Sequence, residues 1–217
     1  MVKAVLFDVD GTLIDSNDAH ADAWVRAFAD HDVTVDRDHV RRCIGMGGDK
    51  LMPDVSGIRE ASTQGRAIAA RRGEVFTSTF LPALQPFRDA ARLVAAIKAQ
   101  GVRVVAASSA KADELTPLLA IAGVDSLMDA ATSSDDAEAS KPDPDIVEAA
   151  LRRAGADASQ AIMIGDTPYD IEAAQRSGVA VIAFRCGGWA DPDLRGAIAI
   201  YDGPWDLLAR LHESAIH

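Results

Sequence analysis

The sequence predicts an α/β protein: a doubly wound, Rossmann-like parallel sheet with a helical domain inserted into it. Short apolar runs, such as Ala4–Phe7 and residues 102–107, 161–165 and 180–184, each end in small or polar residues. Runs of this length and content read as strands buried on both faces of a parallel sheet. Helix-like segments separate them from residue 87 onward, which is the alternation of a doubly wound fold. From Ser16 to Phe80 the pattern differs, because no strand signal occurs there.

Taken in order, Ala4–Phe7 is the first expected strand, and Asp8 and Asp10 follow at its carboxyl end, with Gly11 and Thr12 in the turn. Open α/β sheets bind ligands outside the carboxyl ends of their strands. Two carboxylates there are costly unless a cation or a reaction needs them, although Asp and Gly are also ordinary turn residues. In the insertion, Ala19, Ala23 and Ala27 recur with Trp24 and Phe28 at helical spacing. GMGGDK (45–50) and PDVSG (53–57) are expected breaks between helices, and a second helical run covers Glu60–Phe80. The chain thus divides into a discontinuous α/β core, 1–14 and 81–217, and an inserted helical domain, 15–80. Ile14–Asn17 and Leu81–Pro86 are the expected hinges.

The strand at 102–107 ends in Ser108 and Ser109, ahead of a helix expected over Lys111–Ala120. A hydroxyl and backbone N–H groups there can hold a phosphate oxygen, or Ser can cap the helix. Lys141, in SKPDPDIVEAAL, precedes the next helix, where proline is tolerated; by itself such a lysine is usually a solvated loop charge. After the strand at 161–165 come Asp166 and Asp170, the latter in a helix expected over Pro168–Arg176. One reading of Asp166 is the N-cap of that helix. The last strands are expected near 180–184 and 197–200, with a closing helix over 205–212. Trp189, in RCGGW, reads as a packing residue.

FDVDGTL (7–13), the serines at 108–109, KPDP (141–144) and GDTPYD (165–170) occur in an order that resembles the haloacid dehalogenase superfamily, in its phosphatase branch. The resemblance spans nearly the whole chain and implies a Mg²⁺-dependent phosphoric monoester hydrolase acting through an aspartyl-phosphate. It implies Asp8 as nucleophile, Asp10 as acid/base, and Ser108, the Ser109 N–H and Lys141 as phosphate-binding groups. Mg²⁺ would be held by Asp8, Asp166 and the Asp10 backbone carbonyl, with support from Asp170. Residues 15–80 match the superfamily's helical cap, which closes over the site and chooses the substrate. A small phosphorylated metabolite, a sugar phosphate or a phosphoglycolate-like compound, is the expected substrate. The acid at Asp10 argues for phosphoryl chemistry over carbon–halogen cleavage.

Residues 15–24, DSNDAHADAW, also resemble the cap start of β-phosphoglucomutase, with Asp15, His20 and Trp24 matching. That makes a phosphosugar mutase the alternative function. Against it, the loop Gly45–Lys50 lacks the arginine that the mutase uses for a distal phosphate; Lys50 or Arg72 could substitute. A phosphonatase would need Lys50 as a Schiff-base lysine. A ligand-binding member without turnover would be expected to lack Asp8 or Asp10, and both are present.

Bulk properties are those of an ordinary soluble globular protein. The chain has 217 residues, 48% apolar and 25% charged, with a net charge of −11. That charge argues against nucleic-acid partners. No apolar stretch of about 18 residues is present, so no membrane span is expected. The first strand begins too early for a signal peptide, and Cys43 and Cys186 are too few for a disulfide framework. A cytoplasmic monomer or homodimer is the expectation, with both cysteines as inert packing residues and Lys111, Lys50, Arg71 and Arg72 as cations beyond Lys141.

Overall fold

The computed structural model describes residues 1–217. Two compact units make up the chain: Met1–Asp15 with Gln85–His217, and Ser16–Leu84. The chain enters the first unit through β1 (Ala4–Phe7), whose four residues are all buried.

The second unit is helical throughout: α1 (Asn17–Ala29), α2 (Arg37–Cys43), α3 (Gly48–Ser56) and α4 (Thr63–Val75). Asp36 caps α2 by accepting from the His39 N–H at 2.7 Å, and Ser62 caps α4 by accepting from the Gly65 N–H at 2.9 Å. Both satisfy N–H groups that the first helical turn leaves without partners. Ala21, Trp24, Phe28, Val40, Cys43, Leu51, Met52 and Ile68 form this unit's core. The break expected at PDVSG lies later than the sequence implies, because α3 runs through Pro53 to Ser56. A proline forfeits one helical hydrogen bond, while the adjoining Leu51 and Met52 are fully buried and hold the turn. Gly57, with φ of 74°, ends the helix. After α4 the winding becomes a π turn over Phe76–Phe80, so the expected helix to Phe80 is not α-helical in its last residues.

Back in the first unit, the chain alternates α5 (Ala90–Lys98), β2 (Arg103–Ala107), α6 (Ala112–Ile121), β3 (Ala130–Thr132), α7 (Asp145–Ala154), β4 (Ala161–Gly165), α8 (Pro168–Arg176), β5 (Ala180–Phe184), β6 (Ala199–Tyr201) and α9 (Pro204–Ala209). The six strands form one parallel sheet in the order β3-β2-β1-β4-β5-β6. This is the doubly wound α/β fold expected from the sequence. Beneath α7 and α8, Leu6, Val105, Ile146, Val147, Met163, Ile171 and Val181 share one core cluster. Alternate residues of the same strands, Val5, Phe7, Val104 and Ala106, are buried as well, which accounts for strands that read as continuous apolar runs. Where the chain leaves and re-enters this unit its two segments run side by side: the Asp15 N–H donates to the Gln85 carbonyl at 3.1 Å and the Phe87 N–H to the Leu13 carbonyl at 2.9 Å.

The order places the switch point at β1 and β4, where successive strands are added in opposite directions. Phe7 pairs with Ala106 on one side and Ile164 on the other. The next residues along the three central strands bring Asp8, Ser108 and Asp166 to the same edge of the sheet.

Candidate active site

At that edge the backbone turns away and leaves side chains grouped at the strand ends. Asp8 Oδ1 accepts from Lys141 Nζ at 2.7 Å, and Oδ2 accepts from Thr12 Oγ1 at 2.9 Å. Thr12 Oγ1 also lies 3.0 Å from Asp166 Oδ1. A hydroxyl has one proton to donate, so Thr12 serves either carboxylate and aims both at a common point. Lys141 Nζ lies 2.7 Å from Asp170 Oδ1. Asp8, Lys141, Asp166 and Asp170 are all buried, Lys141 completely.

α8 builds much of this arrangement. Its N-cap is Thr167, not Asp166. Thr167 Oγ1 accepts from the Asp170 N–H at 3.1 Å, and Asp170 Oδ2 accepts from the Thr167 N–H at 3.0 Å, a reciprocal capping box. The box fixes Asp170, whose other oxygen then holds Lys141. A side chain at Gly165 would meet Asp170 Cβ at 2.6 Å, so this strand end tolerates only glycine without a shift. Gly187, after β5, stands so close to Asp166 that an added Cβ would collide with its carboxylate.

Ser108 sits buried at the end of β2. It is not the cap of α6, which starts at Ala112 with Lys111 as N-cap. Instead its N–H donates to the Thr132 carbonyl at 3.1 Å and its Oγ accepts from the Ala110 N–H at 3.0 Å. Ser109 follows, half-buried. Asp10 lies two residues past Asp8, near enough for its charge to act on that carboxyl.

The electrostatics are unusual for a globular core. Burial pushes the Asp8 carboxyl up to about 7; Lys141 opposes this, while Asp170 and Asp10 add to it. Burial disfavours the charged Lys141, but Asp170 and Asp8 outweigh it and hold the ammonium above the ordinary lysine range. A buried ion pair is stable only when its polar atoms are satisfied, and here both Asp8 oxygens and the lysine have partners. Three buried carboxylates still face one ammonium. Oxygens of Asp8, Asp166 and Asp170 lie within 4.8 Å of one another. An all-oxygen, net-negative group of this kind fits a hard divalent cation such as Mg²⁺.

These groups stand at the switch point of a 3-2-1-4-5-6 sheet, and a family model described as Haloacid dehalogenase-like hydrolase matches residues 5–184. The chain belongs to the haloacid dehalogenase-like hydrolases. It is 30% identical to phosphoglycolate phosphatase of Rhodospirillum rubrum, over 93% of this chain and 88% of that protein. With validoxylamine A 7'-phosphate phosphatase of Streptomyces hygroscopicus subsp. limoneus the identity is 31%, over 82% of this chain and 84% of that one. Among solved structures, a hydrolase from Pseudomonas syringae superimposes with a TM-score of 0.90 at 27% identity, covering 98% of this chain and 99% of the other.

Within this haloacid dehalogenase-like hydrolase, sequence reading missed Thr12 and Gly187. A threonine in a turn gives no signal of its own, and the approach of Gly187 to Asp166 joins positions 21 residues apart in the chain. Cys186 stands beside the site, its Sγ 3.5 Å from the Gly11 carbonyl; burial first, then Asp166, keep its thiol protonated. Trp189 packs edge-on to Tyr169, with ring centroids 6.2 Å apart, and against the sheet core. His20, Lys50 and Arg72 belong to the second unit. His20 is buried there, stacked 4.0 Å from Phe76, and its Nδ1 lies 2.5 Å from Arg72 Nη2. A guanidinium only donates, so Nδ1 is the accepting atom of that contact. Lys50 lies in the first turn of α3. No helix of the chain is long and apolar enough to cross a membrane.

Proposed function

We propose that this chain is a Mg²⁺-dependent phosphatase of small phosphorylated metabolites, a sugar phosphate or phosphoglycolate-like compound, working through an aspartyl-phosphate on Asp8. The observation that carries the reading is the Asp8 carboxylate, buried at the switch point, ion-paired to Lys141 and joined through Thr12 to Asp166. The curated relatives named above, both phosphatases, support the substrate class.

Asp8 attacks phosphorus, and the ester P–O bond breaks as the Asp8 O–P bond forms. Asp10 gives its proton to the departing oxygen, then takes one from the water that attacks the phosphoryl group and frees Asp8. Lys141 holds Asp8 in place from one side and spreads charge from the transferring group. Ser108 and the Ser109 N–H bind phosphoryl oxygens at the end of β2. Asp8, Asp166 and the Asp10 backbone carbonyl would hold Mg²⁺, which when bound would supply positive charge against the charge that develops on the phosphoryl oxygens. Asp170 keeps Lys141 aimed at Asp8 because both of its own oxygens are committed, to Lys141 and to the start of α8.

The test is release of inorganic phosphate from a panel of phosphorylated metabolites, with Mg²⁺ and with EDTA. Release that EDTA abolishes supports the phosphatase. Conversion of β-glucose 1-phosphate to glucose 6-phosphate without net release would replace it with a mutase.

A further inference from the structure

Three ligating side chains of unlike chemistry meet in the second unit. His39 and Cys43 lie one turn apart on α2, and Asp54 lies on α3. Asp54 Oδ2 is 2.8 Å from His39 Nε2 and accepts from Cys43 Sγ at 3.2 Å. All three ligand atoms lie within 4.8 Å of one another. Cys43 is 2% exposed, whereas the His39 and Asp54 side chains are 41% and 54% exposed. A buried thiol therefore sits beneath an open polar rim.

We propose that His39, Cys43 and Asp54 form a binding site for a borderline-soft divalent cation, Zn²⁺ above all. Positions one turn apart on a helix share a face, and thiolate, imidazole and carboxylate are the donors that zinc takes. Tetrahedral zinc bond lengths set ligand atoms roughly 3.4–3.6 Å apart. The two pairs that share Asp54 Oδ2, at 2.8 and 3.2 Å, are tighter than that, held by the two hydrogen bonds that an ion would replace. As the Zn–S bond forms, the Cys43 proton leaves to solvent. His39 Nε2 gives a lone pair, and Asp54 gives a carboxylate oxygen that already faces both other ligands. Thiolate and carboxylate together balance the ion's charge, and the exposed rim leaves a fourth position to water. Hard Mg²⁺ has no use for a thiolate, so the ion expected at Asp8 and Asp166 would not fill this site. The ligands bracket the turn Ile44–Gly47, so an ion would clip two short helices together across it.

Full-length protein, with Mg²⁺ present, is titrated with Co²⁺ while thiolate-to-metal charge-transfer absorption is followed. A single Co²⁺ should bind with that absorption, and Zn²⁺ should displace it. Cys43→Ala should abolish the band and Cys186→Ala should retain it. Asp54→Ala, at an exposed position, should weaken binding by more than the roughly 10–100-fold that loss of an outer partner costs a metal site. No band in the wild-type protein, a band that survives Cys43→Ala, or one lost in Cys186→Ala would overturn the proposal.

Discussion

Lys141 is the residue on which the carboxylates of the first unit converge, and its loss should be felt in stability as well as catalysis. Lys141→Ala leaves Asp8 and Asp170 buried together without their cation. Breaking a buried pair in this way costs about 3–5 kcal/mol, a loss that urea unfolding would register. A variant that unfolds at the wild-type midpoint would mean that the pair contributes little. Thr12 acts more narrowly. Thr12→Val keeps the shape of the side chain and removes the proton shared between Asp8 and Asp166. It should lower kcat while leaving the fold intact, and an unchanged kcat would show that neither carboxylate depends on the hydroxyl for its aim.

The loops and caps at the strand ends hold the site at its working distances. Thr167→Ala removes one half of the α8 capping box, a change worth about 0.5–2 kcal/mol, and loosens the residue that holds Lys141. Gly187→Ala pushes a methyl group into Asp166. A displacement near 1 Å can cost about 10²-fold in rate, so kcat/KM should fall by that order; the melting temperature should fall too, because overpacking a buried site costs about 1–3 kcal/mol. Much of this scale is legible in the sequence, for physical reasons. β1, β4 and β5 are apolar on both faces, so they read as buried strands, and the acids that follow β1 and β4 mark the edge of the sheet. Pro168 at the first position of α8 and Asp170 in its first turn signal the helix start correctly. Other features are silent. β3 has only three residues, Ala130–Thr132, too few for periodicity to show. Pro53 lies within α3 because tertiary burial overrides local preference. Asp166 reads as a plausible cap until the structure gives that place to Thr167. The sheet order itself depends on pairings between distant segments that no local pattern encodes.

For the whole molecule, charge is the governing feature. A net charge of −11 and a cluster of buried carboxylates should make the protein responsive to Mg²⁺. An ion that binds only the folded state at about 100 times its Kd adds about 2.7 kcal/mol. Millimolar Mg²⁺ should therefore raise the melting temperature, and Asp166→Asn should remove most of that shift. Acid acts in the opposite direction. Asp129 is held below the ordinary aspartate range chiefly by Lys98, and Asp136 chiefly by the Ser133 N–H. Each folded carboxyl thus binds its proton more weakly than in the unfolded chain. Their contribution is complete above the unfolded value near 3.8 and is lost as pH falls through the lower folded values. The melting temperature should fall with acidification in that range, and a flat profile would count against these pairings.

The most direct test of the central claim is phosphate release by Asp8→Asn beside the wild-type protein, with Mg²⁺ and the best substrate of the panel. The substitution keeps the size of the side chain and removes the oxyanion proposed to attack. Release should drop by at least about 10⁴-fold while the protein still melts cooperatively. Turnover by Asp8→Asn at a rate near wild type would contradict Asp8 as the nucleophile.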